Sequence, residues 1–415
     1  MAKYNNINIL KEEGIVGVED FEIEGSDKEL EGVMIKEILM TESLLTQSPQ
    51  LAVILHSSIY DPPGKWFDKW KNKKISFKLK GKVVSIDASS KDAELEVEQK
   101  VYRLSDRKFM PTNVGQTEQM TVHACDETLF KDVSKLVSKS WKCTQPSKIV
   151  KDILENCVEA KNVDVQEADP ARDYIAENIH PYQVIAQQAN VAMDGDDPSF
   201  LHFMTYEDKG KHYFKSLKKM AKGTDSKITY LQADIEEGTG YKNASFAVNF
   251  MFPCDFDYLS DLLNGLNENG ENQNTGGFLN PVMKTASMEG KSDNGGCSQL
   301  GGSNYKVATT NKGSSEQQNS CNVDVEKHLV KRQARMGLLD RDKIALRITV
   351  PCNLELHVGQ VISLQWINKK TTSSETPVYG TGDYLIASMT HNIKLGGFSV
   401  TTMDCVSVTV AQGQV

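Results

Sequence analysis

The chain has 415 residues with 47 Lys plus Arg against 56 Asp plus Glu, and its formal charge of −9 excludes a general nucleic-acid-binding surface. That length exceeds what one core organises, so about two to four domains are expected. No apolar run reaches the roughly 18 residues that span a bilayer, and Met1–Glu12 is too polar for the centre of a signal peptide.

Up to about Thr121 the sequence reads as strands: Phe21-x-Ile23, Val33–Met40, Leu51–Leu55, Ile75–Ile86 and Ala93–Leu104. Turn signals separate them at Glu24-Gly25-Ser26, Asp61-Pro62-Pro63-Gly64 and Ala88-Ser89-Ser90-Lys91. Ile75, Phe77 and Leu79 alternate with Ser76 and Lys78, and Gly81 predicts a bulge or bend before Val83. Strands with no helix between them predict a small β-barrel or sandwich over 1–121.

The period changes at Asp126. Leu129, Phe130, Val133, Leu136 and Val137 predict an amphipathic helix to about Lys139. Ile149, Val150, Ile153, Leu154, Cys157 and Val158 predict a second, with Ser147 as N-cap after Pro146. A third is predicted from Pro181 to Met193, with Pro181 in its first turn. A hairpin of Leu201–Tyr206 and Lys211–Leu217 follows, so 122–225 reads as an α+β segment.

Strands near Ile228–Phe252 are expected to complete a second barrel, giving 226–255 to that unit. From Asn264 to Asn322 the chain is rich in Gly, Asn, Ser and Gln, and so long a loop is functional or ordered by partners. Val325–Leu339 then predicts a helix with Lys327, Lys331 and Arg335 on one side and Arg332 at the edge of the apolar side, closing a 256–340 region. Finally, 341–415 reads as a β-meander: Ile344–Val350, a break at Pro351-Cys352-Asn353, Val361–Trp366, Tyr384–Ile393, a Gly396-Gly397 turn and Phe398–Val410.

The eight cysteines form no CxxC pair, and no close Cys/His set has zinc spacing. They are expected to be reduced and structural, with Cys297 and Cys321 as the one pair placed for a loop-closing disulfide.

The segments "VGQVISLQW" and "GDYLIASMTHNI" resemble the C-terminal barrel of phage tail baseplate hub proteins. In the middle, "QPSKIVKDILENC" is similar to the helix after that family's first barrel, and "NIHPYQVIAQQANVA" followed by "SFLHFMTYEDKGKHYFKSL" looks like its next helix and hairpin. The resemblance covers nearly the full chain except Asn264–Asn322. It implies an α+β, mainly β fold, with two tail-tube-like antiparallel β-barrel domains and an α+β insert between them. It further implies a non-enzymatic structural virion protein of a contractile-tailed phage: a trimeric baseplate hub, assembled in the host cytoplasm, joining the sixfold tail tube to the threefold central spike. The partners it implies are two further copies of the chain, the spike, the tube or its initiator, the tape-measure protein and the baseplate wedges, with no sequence-specific nucleic acid. The hub part of type VI secretion spikes is similar, but ending at Val415 the chain leaves no room for an OB-fold and needle, so a separate spike is expected.

Two barrels per chain would let three chains present six similar units around one axis, a match of symmetries that closed rings require. The negative charge would suit a lumen that must not hold DNA by phosphate contacts.

Other chemistry reads weakly. His391 lies on the strand face of Leu385, Ala387 and Met389 without an acid or nucleophile motif, and a structural hydrogen bond is expected. His180 sits where a helix begins. His202 and His212 point to opposite faces if Tyr206 pairs with Lys211; a one-residue slip would bring them together, still short of a third ligand. Gly295–Gly302 lacks the Lys-Ser/Thr of a phosphate loop, and Asp194, Asp196 and Asp197 lack the calcium-loop spacing and read as a solvated turn. No catalytic, cofactor-binding or metal-ligating residue and no cofactor is expected. The rival classes are a soluble β-rich ligand-binding module and a baseplate-associated cell-wall hydrolase.

Overall fold

The computed structural model describes residues 14–25, 33–57, 69–84, 90–112, 115–195, 197–222, 228–232, 247–250, 276–280, 285–289, 306–309, 332, 336, 346–366 and 382–410. The N-terminal strands are β1 (Gly17–Ile23), β2 (Val33–Ser43), β3 (Gln50–Ser57), β4 (Lys74–Val84), β5 (Ser90–Thr112) and β6 (Gly115–Cys125). They pair in the order β1-β4-β5-β6-β3-β2 and curl round one core of Ile38, Met40, Leu51, Val53, Ile75, Phe77 and Val97. Strict alternation puts these side chains on one face. β4 runs through Gly81 in unbroken register with β5, Gly81 opposite Ala93, so the bulge predicted there is absent. Irregularities lie instead where β1 pairs with β4, between Glu19 and Glu22, where β2 pairs with β3, between Ile35 and Glu37, and where β5 pairs with β6, between Val101 and Arg103 and between Ser105 and Lys108.

In the insert, Asp126 caps α1 (Glu127–Ser134), its carboxylate accepting from Thr128 N. The helix ends five residues before the predicted Lys139, because Lys135 is already extended and Val137 opens β7 (Val137–Thr144). Val137 and Trp141 both enter the insert core, and burying them in a strand outweighs continuing a helix that leaves Val133 and Leu136 exposed. α2 (Pro146–Asp152) passes into a π-turn at Ile153–Cys157. Gln145, not Ser147, holds its capping position; Ser147 Oγ accepts from Ala168 N instead.

β8 (Asn162–Val165) and β9 (Arg172–Ile179) follow, the latter paired with β7. Next come α3 (Pro181–Val191), β10 (Phe200–Thr205), β11 (Lys211–Ser216) and the short α4 (Leu217–Ala221). β11 pairs antiparallel with β10 and parallel with β8.

The remaining strands are β12 (Ile228–Gln232), β13 (Ala247–Phe250), β14 (Gly276–Asn280), β15 (Thr285–Glu289), β16 (Lys306–Thr309), β17 (Leu346–Pro351), β18 (Val361–Trp366), β19 (Gly382–Lys394) and β20 (Val400–Val410). β14, β15 and β16 form a small sheet, so the described parts of the Gly/Asn-rich region are strands rather than loop. β12 pairs with β18 and β13 with β17, and both join the sheet of the final meander. A second core of Leu346, Ile348, Leu364, Tyr384, Leu385, Met403 and Cys405 fills it. Of the predicted basic helix only Arg332 and Met336 are described, and both are helical.

The two curled sheets are one. β2 pairs antiparallel with β19, from Glu37 opposite Lys394 to Ser43 opposite Ser388, giving a continuous twelve-stranded sheet.

Among the described cysteines, Cys125, Cys157, Cys352 and Cys405 are free. Cys143 is disulfide-bonded, which corrects the expectation of eight reduced thiols. Cys297 and Cys321 lie outside the described residues.

Candidate functional site: the seam between the two sheets

Period-2 alternation along β2 sends Ile38, Met40 and Glu42 inward and leaves Leu39, Thr41 and Ser43 half-exposed on the other face. Leu44 N donates to Ala387 O and extends the seam by one bond. Glu42 is therefore a carboxylate on a core face, with 0% of its surface exposed. Three donors meet it. Tyr206 N, at the end of β10, lies 2.7 Å from Oε1; Val358 N lies 3.1 Å from Oε2; His357 Nδ1 lies 3.1 Å from Oε1. One side chain of the first sheet thus holds the insert and the second sheet together.

Burial alone would raise the Glu42 carboxyl, but the His357 charge and the three donors outweigh it and hold it below the usual carboxylate range. Burial likewise works against a charged His357; the Glu42 carboxylate, with Glu207 and Asp208 behind it, overrides this and lifts its ring above the ordinary value. Gly359, at φ +84°, lets the His357 loop close on the insert, since a Cβ there would stand 3.0 Å from Met220 Sδ and Phe203 Cζ. Beside the junction a cleft of about 490 Å³ opens between β5, the Glu207–Lys209 turn and the 354–362 loop.

The opposite face of the sheet is continuous across the seam, with Glu37 opposite Lys394 at one end and hydroxyl groups toward the other. Thr41 Oγ1 and Thr390 Oγ1 bond at 3.2 Å directly over it, and Thr349 and Thr402 do the same between β17 and β20. Arg347 and Asp404 cancel in a bidentate pair at 2.5 and 2.8 Å, and Asp404 also takes the Ser388 hydroxyl. Gln50, Ala52, Ile54 and His56 of β3 continue the surface, with His56 bonded to Gln119. The far end of the sheet differs sharply: Lys74, Lys78 and Lys80 of β4 pair with Glu98, Glu96 and Glu94 of β5, and Lys80 also with Glu19 of β1.

The structure also places the histidines. β10 and β11 pair with Thr205, not Tyr206, opposite Lys211, so the register is shifted by one from the simple hairpin. The Tyr206 N–H, past the last ladder pair, donates to Glu42. His202 and His212 consequently share a face, stacked with centroids 5.4 Å apart and Nε2 of His202 3.2 Å from Nδ1 of His212. Thr128 Oγ1 gives its proton to Asp126, so His212 Nε2–H donates to that hydroxyl, and His202 Nε2–H donates to His212 Nδ1. Burial holds His202 well below the ordinary range and His212 down at about 4, so both are neutral. Among the described residues no group of three or more His, Cys, Asp or Glu can hold a metal ion.

His391 is fully buried and bonds Thr401 Oγ1 through Nδ1 at 2.8 Å, with Cys352 Sγ 3.8 Å away. Burial pushes the Cys352 thiol up to about 12 and the His391 ring down to about 4, opposite to what a thiolate–imidazolium nucleophile needs. His180 occupies the capping position of α3, its Nδ1 3.0 Å from Asp132 O. Asp197 is buried rather than solvated, accepting from Ser199 Oγ; Asp196 lies outside the described residues.

Arg332 is buried too. It donates to Asn190 Oδ1 at 3.1 Å and to the carbonyls of Pro198 and Phe200 at 2.8 Å, and burial brings its guanidinium down to about 10.

Solved structures share this architecture. A tail protein from Neisseria meningitidis MC58 superposes with a TM-score of 0.54 at 7% identity, over 95% of this chain and 97% of that one. The 43 kDa tail protein of prophage MuSo2 from Shewanella oneidensis gives 0.51 at 10% identity, over 94% and 98%. The chain has the fold of phage tail proteins. An E. coli type VI secretion component is also similar, at 10% identity and a TM-score of 0.46 over 95% of this chain and 78% of that one. No protein-family model matches the sequence, and no curated protein matches it. No described helix is long and apolar enough to cross a membrane.

Proposed function

We propose that the chain is a structural, non-enzymatic component of a phage-like tail: a trimeric baseplate hub that joins a sixfold tube to a threefold spike. The observation that carries this reading is the β2–β19 seam, which builds two curled-sheet units into one continuous sheet within a single chain. Three such chains offer six units, and the edge pairing between two units of each pair is already made covalently reliable by the chain itself. The partners are two copies of the chain, the spike, the tube or its initiator, the tape-measure protein and the baseplate wedges, in the baseplate of a virion tail assembled in the host cytoplasm.

The hydroxyl- and amide-rich surface across the seam, where Glu37 faces Lys394 and Arg347 pairs with Asp404, is the part of the channel wall this chain supplies. A polyanion or an extended polypeptide passing along it meets short hydroxyl and amide groups and a cancelled ion pair, so it finds no row of cations to bind.

Light scattering on the purified protein tests the assembly. Three times the chain mass, alone or once the spike is added, supports the hub. A monomer at every concentration, unchanged by the spike, refutes it.

A further inference from the structure

The junction holds an ion pair that packing alone does not require, since apolar residues of similar volume can replace a buried pair without loss of stability. Two of the three groups on Glu42 are backbone N–H donors, from Tyr206 and Val358, which do not themselves titrate. The third, His357, is the one whose charge can change.

Its surroundings come from every element packed on it. β2 supplies Glu42; the turn after β10 supplies Glu207 and Asp208; β19 supplies His391, which also feels the pair. Its own loop carries Glu355, and β5 contributes Lys91 and Glu94 to the shared cleft, with Lys91 paired to Glu355. Glu207 and Asp208 are each within 3.5 Å of Lys211.

We propose that His357 is a proton-operated clamp: charged, it binds Glu42 of the first sheet while facing the Glu207–Asp208 turn of the insert, and neutral, it lets the three units slacken at their common junction. The proposal goes beyond the assembly reading and stands whether or not that reading holds.

The sign follows from linkage. His357 is lifted in the folded chain, so its contribution is fully present below the unfolded value of about 6.5 and is lost as pH rises through the folded value. Glu42 is lowered, so its side of the pair is lost only as pH falls through its own folded value, below the ordinary carboxylate range. His391, held at about 4 by burial, stays neutral where His357 titrates and does not compete with it. The clamp is therefore closed below about pH 6.5 and loosens as pH rises through the raised His357 value.

Amide hydrogen exchange on the full-length protein tests this at about pH 6 and about pH 9, with rates corrected for intrinsic exchange. Protection at Tyr206 N and Val358 N should fall about tenfold at the higher pH while the β4–β5 ladder keeps its own. In His357→Gln, which can still donate to Glu42 but cannot titrate, the two amides should show equal protection at both values. Unchanged protection at Tyr206 and Val358 in the wild type, or an equal fall in the β4–β5 ladder, overturns the clamp. The wild-type comparison decides the matter by itself if the variant does not fold.

Discussion

Replacing Glu42 by Ala removes one acceptor from three donors at once. Tyr206 N, Val358 N and His357 Nδ1 lie at 2.7 to 3.1 Å from it, in a site with no exposed surface. Breaking a buried pair by removing one partner costs about 3–5 kcal/mol, and each buried donor left without an acceptor costs about 1–3 kcal/mol. These overlap, because the loop can relax and His357 can shed its proton, so we expect a net loss of about 4 kcal/mol. Glu42→Gln keeps the volume and one carbonyl acceptor and should lose about half as much. Urea unfolding followed by far-UV circular dichroism, with both variants beside the wild type, reads the difference. A loss below about 1 kcal/mol for Glu42→Ala would show that water or a side-chain shift satisfies the donors and that Glu42 does not hold the junction.

Three further outcomes follow from the same contacts. His212 and His391 are buried at about 4, so stability present above about pH 6.5 should drain away toward pH 4 by about 3 kcal/mol each, with His202 adding to it; thermal midpoints over that range check this. Arg332→Ala loses three hydrogen bonds, two of them buried, and should destabilise the insert by about 2–4 kcal/mol, and Arg332→Lys should not restore it, as calorimetry would show. Gly359→Ala forces a Cβ to within 3.0 Å of Phe203 and Met220 at a positive φ and should lower stability by about 1–3 kcal/mol in the same urea assay.

Much of the sheet was legible because its strands are buried on one face only: Ile75, Phe77 and Leu79 in β4, or Ile348 and Val350 in β17, show the period directly. Where the period is ambiguous, it failed. Leu129, Phe130, Val133, Leu136 and Val137 continue a helical spacing past the true end of α1, and only the pull of Val137 and Trp141 into the insert core reveals β7. Pattern also tells which face a residue takes, not which strand lies beside it. The β2–β19 seam joins residues such as Thr41 and Thr390 that are far apart in sequence, and nothing local to either strand specifies the other.

Glu42 carried a usable signal. It continues the inward series of Ile38 and Met40 two residues on, and a carboxylate on a core face demands partners. Ending that strand at Met40 hid it. The β10–β11 hairpin closes one residue earlier than its simplest pairing, and the Tyr206 N–H left outside the ladder is one of the donors Glu42 collects.

The central claim is that two units fused in one chain make a threefold assembly look sixfold. Electron microscopy of the purified oligomer, viewed down its axis, tests it most directly. The account predicts a ring of six barrel-like lobes that repeats exclusively with threefold symmetry, from three chains. A ring of six chains, or particles with no ring even in the presence of the spike, would contradict it.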